Sequence, residues 1–254
     1  RDTDRSRGLG DVYKRQSLPI LLFPAALIAV IADLIVPELT EAQVQGRLQG
    51  LGYMLERLYR LGLFFSMAVA GACFFFAHPL GELIYSEPAA GQYIRLLAPL
   101  VPIMYMDTLV DGMLKGVGEY RANMRYNIID AATGLLLVWL LLPRYGVAGY
   151  LFSISATELL NFALSAARLT RVTVFRLQPL CWLLTAAAAV GGWWLLRLIF
   201  GRLLSRTGQP LILLLLVFLY LACYGAALLL CGALRREELS WLFSLLRGEK
   251  SPKT

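Results

Sequence analysis

The sequence predicts an all-α protein, a polytopic transmembrane helix bundle of about seven spans. Three observations predict it. Long apolar stretches recur along the chain, and those at 61–77, 177–196 and 210–234 hold no charged side chain. Each is long enough, at about 1.5 Å per residue, to cross a hydrocarbon core of about 30 Å. The composition is 58% hydrophobic and 16% charged, where a soluble domain carries about a quarter charged residues. The loops between the stretches alternate in positive charge. In lipid the backbone must satisfy its own hydrogen bonds, so the stretches are read as helices.

The elements follow in order. The first sixteen residues, RDTDRSRGLGDVYKRQ, are polar and end abruptly at SLPILLFPAALIAV. They resemble a translated assembly scar, lack the pattern of a signal peptide, and are expected to be non-native. The spans are predicted at roughly 17–37, 58–77, 92–114, 124–142, 146–167, 178–200 and 210–233. The first carries Pro19, Pro24 and Asp33. The loop from Glu38 to Glu56 is polar and helix-prone. In the third span Pro99 and Pro102 remove backbone donors, so a kink or an unwound turn is expected there. Such breaks are tolerated at membrane depth where they are buried or line a cavity. The last two spans, uniformly rich in Leu, Trp and Ala, are expected at the periphery against lipid. The tail RREELSWLFSLLRGEK sets Leu239, Leu242, Phe243 and Leu246 on one face, as an amphipathic helix on the membrane surface does.

Charge gives the orientation. One side holds Arg47, Arg57, Arg60, Lys115, Arg121, Arg125, Arg168, Arg171 and Arg176. The tail on that side adds Arg235, Arg236, Arg247, Lys250 and Lys253, which makes fourteen. The other side holds Arg144, Arg202 and Arg206, with Arg95 and Arg197 near span ends. By the positive-inside rule the C-terminus is cytoplasmic. The net charge of +7 therefore points to the anionic lipids of the inner leaflet. No nucleic-acid motif accompanies it. Cys73, Cys181, Cys223 and Cys231 lie inside apolar stretches at spacings that fit no metal motif. His78, before Pro79, reads as an interfacial helix end. The Gly116-x-Gly118 pair follows a span and not a strand, so it reads as a tight turn. No phosphate loop, H-E-x-x-H or nucleophile elbow is present. Neither an enzyme nor a cofactor is predicted.

Charged groups at the bilayer centre are costly, so those kept there face a bundle interior or a water-filled cavity. Three stripes stand out. Asp107, Asp111 and Lys115 share a face of the third span. Asn123, Asn127, Asp130 and Gly134 share a face of the fourth. Glu158, Asn161 and Ser165 share a face of the fifth. Asp111 and Lys115 also fit an intrahelical pair. Asn127 and Asn161 also fit plain helix-to-helix hydrogen bonding. Glu158, near mid-span, is harder to dismiss.

Several motifs resemble a known family. They are VPELTEAQVQGRLQ after the first span, Gly116-x-Gly118 after a kinked helix, Asn127 opening the next span, and the turn PRYGVAGY from Pro143 to Tyr150. Over roughly 17–233 the chain is similar to the stage V sporulation protein B-like polysaccharide-biosynthesis flippases. These belong to the multidrug/oligosaccharidyl-lipid/polysaccharide exporter superfamily. The resemblance implies about fourteen spans, in two six-helix lobes with two peripheral helices. Residues 17–167 would be the C-terminal lobe, 168–233 the peripheral helices and 234–254 the cytoplasmic tail. Most of the N-terminal lobe would be missing, and the fragment should not transport alone. It also implies alternating-access flipping of a lipid-linked saccharide, such as a peptidoglycan precursor, across a bacterial cytoplasmic membrane. Arg57, Arg60, Arg95 and Arg125 are the candidates for an anionic lipid diphosphate. A cation-coupled drug exporter would lean instead on Asp107, Asp130 and Glu158. A non-catalytic scaffold for envelope assembly is the reading outside transport.

Overall fold

The computed structural model describes residues 18–85, 88–175, 179–204 and 209–230. Among these there are helices and no strand, so the all-α expectation holds. The helices are α1 (Leu18–Val44), α2 (Leu48–Phe75), α3 (Ala77–Tyr85) and α4 (Pro88–Leu97). A 3-10 turn at Ala98–Leu100 leads into α5 (Val101–Gly116). Then come α6 (Tyr120–Val172), α7 (Pro179–Leu204) and α8 (Pro210–Leu230). The predicted scar at 1–16 and the amphipathic tail at 234–254 lie outside the described residues.

Six helical stretches among the described residues are long and apolar enough to cross a membrane. The longest is α6, with 53 residues, broken at Gly146 by φ 57° and ψ −134°. That backbone region is essentially confined to glycine. Its limbs, 120–145 and 147–172, fold back on each other. A methyl built on Gly134 would lie 3.5 Å from Cγ2 of Thr157, and one on Gly149 would lie 2.8 Å from the carbonyl carbon of Leu141. Those pairings centre on the PRYGVAGY turn, as in an antiparallel hairpin. Counting the limbs separately gives seven spans, as the sequence predicts.

Three local features refine the prediction. The polar stretch 38–56 is almost entirely helical: α1 runs on to Val44 and α2 begins at Leu48. Glu, Gln, Leu and Ala there are strong helix formers, and helices need not stop where the apolar run does. Between the predicted second and third spans lies α3, which the hydropathy pattern does not announce, and α4 forms the opening part of the third span before the kink. They approach closely where Gly81 meets the backbone of Gly91. The break expected at Pro99 and Pro102 is the 3-10 turn between α4 and α5. Each proline lacks the amide hydrogen that a regular helix would use, and its ring crowds the carbonyl four residues back.

The chain divides into two compact units, residues 1–177 and 178–254. In the first, α5 is the central helix, and α1, α2 and α6 pack on it. Small residues let α1 come close. A methyl on Gly112 would sit 2.7 Å from Cβ of Ala32, and one on Gly116 would sit 2.8 Å from Cβ of Leu39. This is the small-xxx-small packing of membrane helices. The Thr40 hydroxyl sits 2.8 Å from the Val36 carbonyl and 3.0 Å from that of Gly116, and its proton can serve either. In the second unit α7 and α8 pair around buried Leu196, Leu216 and Tyr220. The Tyr220 hydroxyl donates to the Ala189 carbonyl at 3.4 Å.

The outer surface is apolar. Phe23, Leu27 and Leu34 on α1, Leu135 and Trp139 on α6, and Leu211 and Leu214 on α8 are all exposed. Exposed apolar surface of this extent marks a surface made for something other than water. With the apolar helices, it makes the chain a multi-pass membrane protein.

Candidate functional site: a polar cluster on α5 and both limbs of α6

The three predicted stripes meet. Asp107 and Asp111 lie one turn apart on α5, facing α6. From the second limb of α6, the Asn161 amide donates to Oδ2 of Asp107 at 2.9 Å. One turn further on, the Ser165 hydroxyl donates to Oδ1 of Asp111 at 3.1 Å. From the first limb, the Asn127 amide donates to Oδ2 of Asp111 at 3.1 Å. The Asn123 amide donates to the Asp111 backbone carbonyl at 3.3 Å. Asn127 also bonds the side-chain oxygen of Asn123. The i, i+4 spacing read from the sequence is what stacks these donors at one height.

The cluster is buried at Asp107, Asn123 and Asn161 and reaches the surface at Asn127, with Asp111 half-buried. Asp107 is 8% exposed, Asn123 3% and Asn161 4%. Asp130 and Glu158 are half-buried. Asp111 lies one turn from Asp107 on α5, and Asp130 and Glu158 lie on the two limbs of α6, which packs on α5. Oδ1 of Asp107, Oδ1 of Asp130 and Oδ1 of Asn161 accept no hydrogen bond from the described residues. Buried oxygens of this kind carry the full cost of desolvation. Carboxylates held inside an apolar helix bundle are costly unless something compensates their charge. The arrangement suits the uptake of a proton or a monovalent cation. Among the described residues, no three acidic, His or Cys side chains are placed to hold a metal ion.

Both carboxylate oxygens of Asp111 are engaged by Asn127 and Ser165. Asn127 and Asn161 do join helices, and they do so through the carboxylates. The candidate arginines lie elsewhere. Arg57 is buried on α2, with its guanidinium 5.9 Å from the Tyr53 ring centre. Arg60 is half-buried one turn on. Arg95 is exposed near the end of α4, stacked 5.0 Å over the Phe74 ring. Arg125 is exposed on the first limb of α6.

Gly116-x-Gly118 forms the expected tight turn. Gly118 has φ 82°. The Glu119 amide bonds the Leu114 carbonyl at 2.9 Å, and the Gly118 amide bonds that of Lys115 at 3.0 Å. This is a Schellman cap, with Gly118 in the left-handed position. It points Glu119 at the far end of α6. There Arg168 grips it with two parallel bonds, Nε to Oε2 at 3.2 Å and Nη2 to Oε1 at 3.0 Å. Sequence reasoning counts Arg168 as a loop charge and passes over Glu119. The available signal is that Arg168 continues the Asn161–Ser165 face.

Residues 43–140 match the MatE family model. The chain is 27% identical over 158 residues to stage V sporulation protein B of Bacillus subtilis (strain 168). That match takes in 61% of this chain and 30% of the relative's length, so the chain covers well under two thirds of the relative. The polar residues of α5 and of the first limb of α6 therefore lie in a segment that matches the MatE family, and the resemblance to the exporter superfamily is shown over that part of the chain.

Proposed function

We propose that the chain is the C-terminal lobe of a membrane transporter that flips a lipid-linked saccharide, of the peptidoglycan-precursor type, by alternating access. The likeness to stage V sporulation protein B supports the flippase class. The observation that carries the mechanism is the buried carboxylate–amide cluster, with Asp107 and Asn161 at its centre. Transport makes and breaks no covalent bond, and the cluster joins α5 to both limbs of α6 through its carboxylates. Its work is to change charge as a proton or cation enters and leaves, and so to bias the packing of α5 against α6. A second lobe of the same protein completes the cavity. The anionic saccharide diphosphate meets basic groups near span ends, with Arg57, Arg60, Arg95 and Arg125 as candidates. Anionic lipids meet the basic loops on the cytoplasmic side, where the C-terminus lies.

One second reading has an observation in its favour. The centre of the site is acidic, which suits a cation-coupled drug exporter as well as a flippase. Deletion of the gene separates them. Accumulation of a lipid-linked precursor on the inner leaflet supports the flippase. Unchanged precursor with new drug sensitivity overturns it in favour of the exporter. Mislocalised envelope proteins with neither effect would assign the chain to a scaffold.

A further inference from the structure

The hydrogen bonds of the cluster do not by themselves choose a register between α5 and the second limb of α6. The two helices run parallel, and their rungs repeat every four residues: Asn161 on Asp107, then Ser165 on Asp111. Move the second limb one turn toward the C-terminal end of α5. Thr157 would then face Asp107 and Asn161 would face Asp111, so each carboxylate would keep a donor. Thr157 is buried, and its hydroxyl bonds its own helix at the Ile154 carbonyl, 3.1 Å away. It is ready to exchange that partner for a carboxylate. Two registers thus have similar polar pairing, as in a one-turn ratchet.

The third rung breaks the degeneracy. Arg168 lies on the same face as Asn161 and Ser165, and its fork meets both oxygens of Glu119 at 2.9–3.2 Å. Glu119 cannot follow a slipping helix. Its amide is fixed to Leu114 at the end of α5, and its carbonyl accepts from Ala122 and Asn123 at the start of α6, each at 3.1 Å. Partly exposed ion pairs contribute little stability, but a bidentate guanidinium–carboxylate fork is directional. We propose that Glu119 and Arg168 are positioning residues, which hold the second limb of α6 in the register that sets Asn161 on Asp107 and Ser165 on Asp111. A slip of one turn, about 5.4 Å, cannot be made while the fork is closed. The pair touches no substrate and acts through the helix it pins.

Spin labels at Leu96 and Arg171, both exposed, test this in the full chain in nanodiscs, with the four native cysteines replaced by alanine. These sites are well separated along the helix axis, so a slip changes their distance to first order. Glu119→Gln should split the single distance into two that differ by about 5 Å, one helical turn, with unchanged helix content by circular dichroism. The charge-swapped pair Glu119→Arg with Arg168→Glu should restore the single distance. Should Glu119→Gln lose helix content, Arg168→Lys decides, since it keeps the charge and loses the fork; it should populate both distances. Distances unchanged in the folded single variants, or a swap that fails to restore the single distance, would overturn the proposal. The measurement reads distance and not transport, so its failure leaves the functional assignment above standing.

Discussion

Asp107 accepts from Asn161 through one oxygen and from no described residue through the other. That asymmetry sets what substitutions do. Asn161→Leu removes the donor and leaves the carboxyl group buried without it. The expected loss is about 1–2 kcal/mol of unfolding free energy, measured by denaturation in mixed micelles. A stability equal to wild type would show that Asp107 finds another partner. Asp130 poses the functional question more sharply. A mid-span carboxylate costs about 2.5–3.5 kcal/mol on insertion scales, so it should persist for use. Asp130→Leu is expected to impair transport more than Leu136→Ala at equal expression. Equal activity of the two would remove Asp130 from the site.

Helix contacts are decided by a few glycines. At Gly112 an added methyl would meet Cβ of Ala32, whereas at Gly191 on α7 it would meet nothing within 4 Å. Gly112→Ala should therefore push α1 off α5 at about 1–3 kcal/mol. Gly191→Ala should be neutral, or stabilising by up to about 1 kcal/mol. Equal unfolding midpoints for the two would contradict the close packing. At this scale the sequence is legible where periodicity speaks. Asp107/Asp111, Asn123/Asn127 and Asn161/Ser165 announce their shared faces through i, i+4 spacing. The 3-10 turn is legible because proline has a fixed backbone cost. Glu119 and Arg168 are not legible. They are 49 residues apart, and only the hairpin at Gly146 and the cap at Gly118 bring them together. Nor is α3, because it is too short to give a hydropathy signal of its own.

The first unit carries exposed apolar side chains outside its polar seam, and the basic loops gather on one predicted side. Thiols introduced at Ser86 and Ser205 should be labelled from outside sealed cells, and those at Gln45 and Ser251 should not. Labelling of the second pair would reverse the orientation. The seven spans could be counted in advance because apolar length and loop charge are local properties. How the stripes combine could not, because that depends on which helices α5 touches. We propose above that this seam drives transport. Flipping of a fluorescent lipid-linked saccharide in proteoliposomes tests this most directly, with this chain joined to the N-terminal lobe proposed for it, under an imposed proton or sodium gradient. Asp107→Leu should lower gradient-driven flipping at least about tenfold, a barrier change of about 1.4 kcal/mol, while Leu136→Ala leaves it near wild type. Gradient-driven flipping at the wild-type rate in Asp107→Leu would contradict the claim.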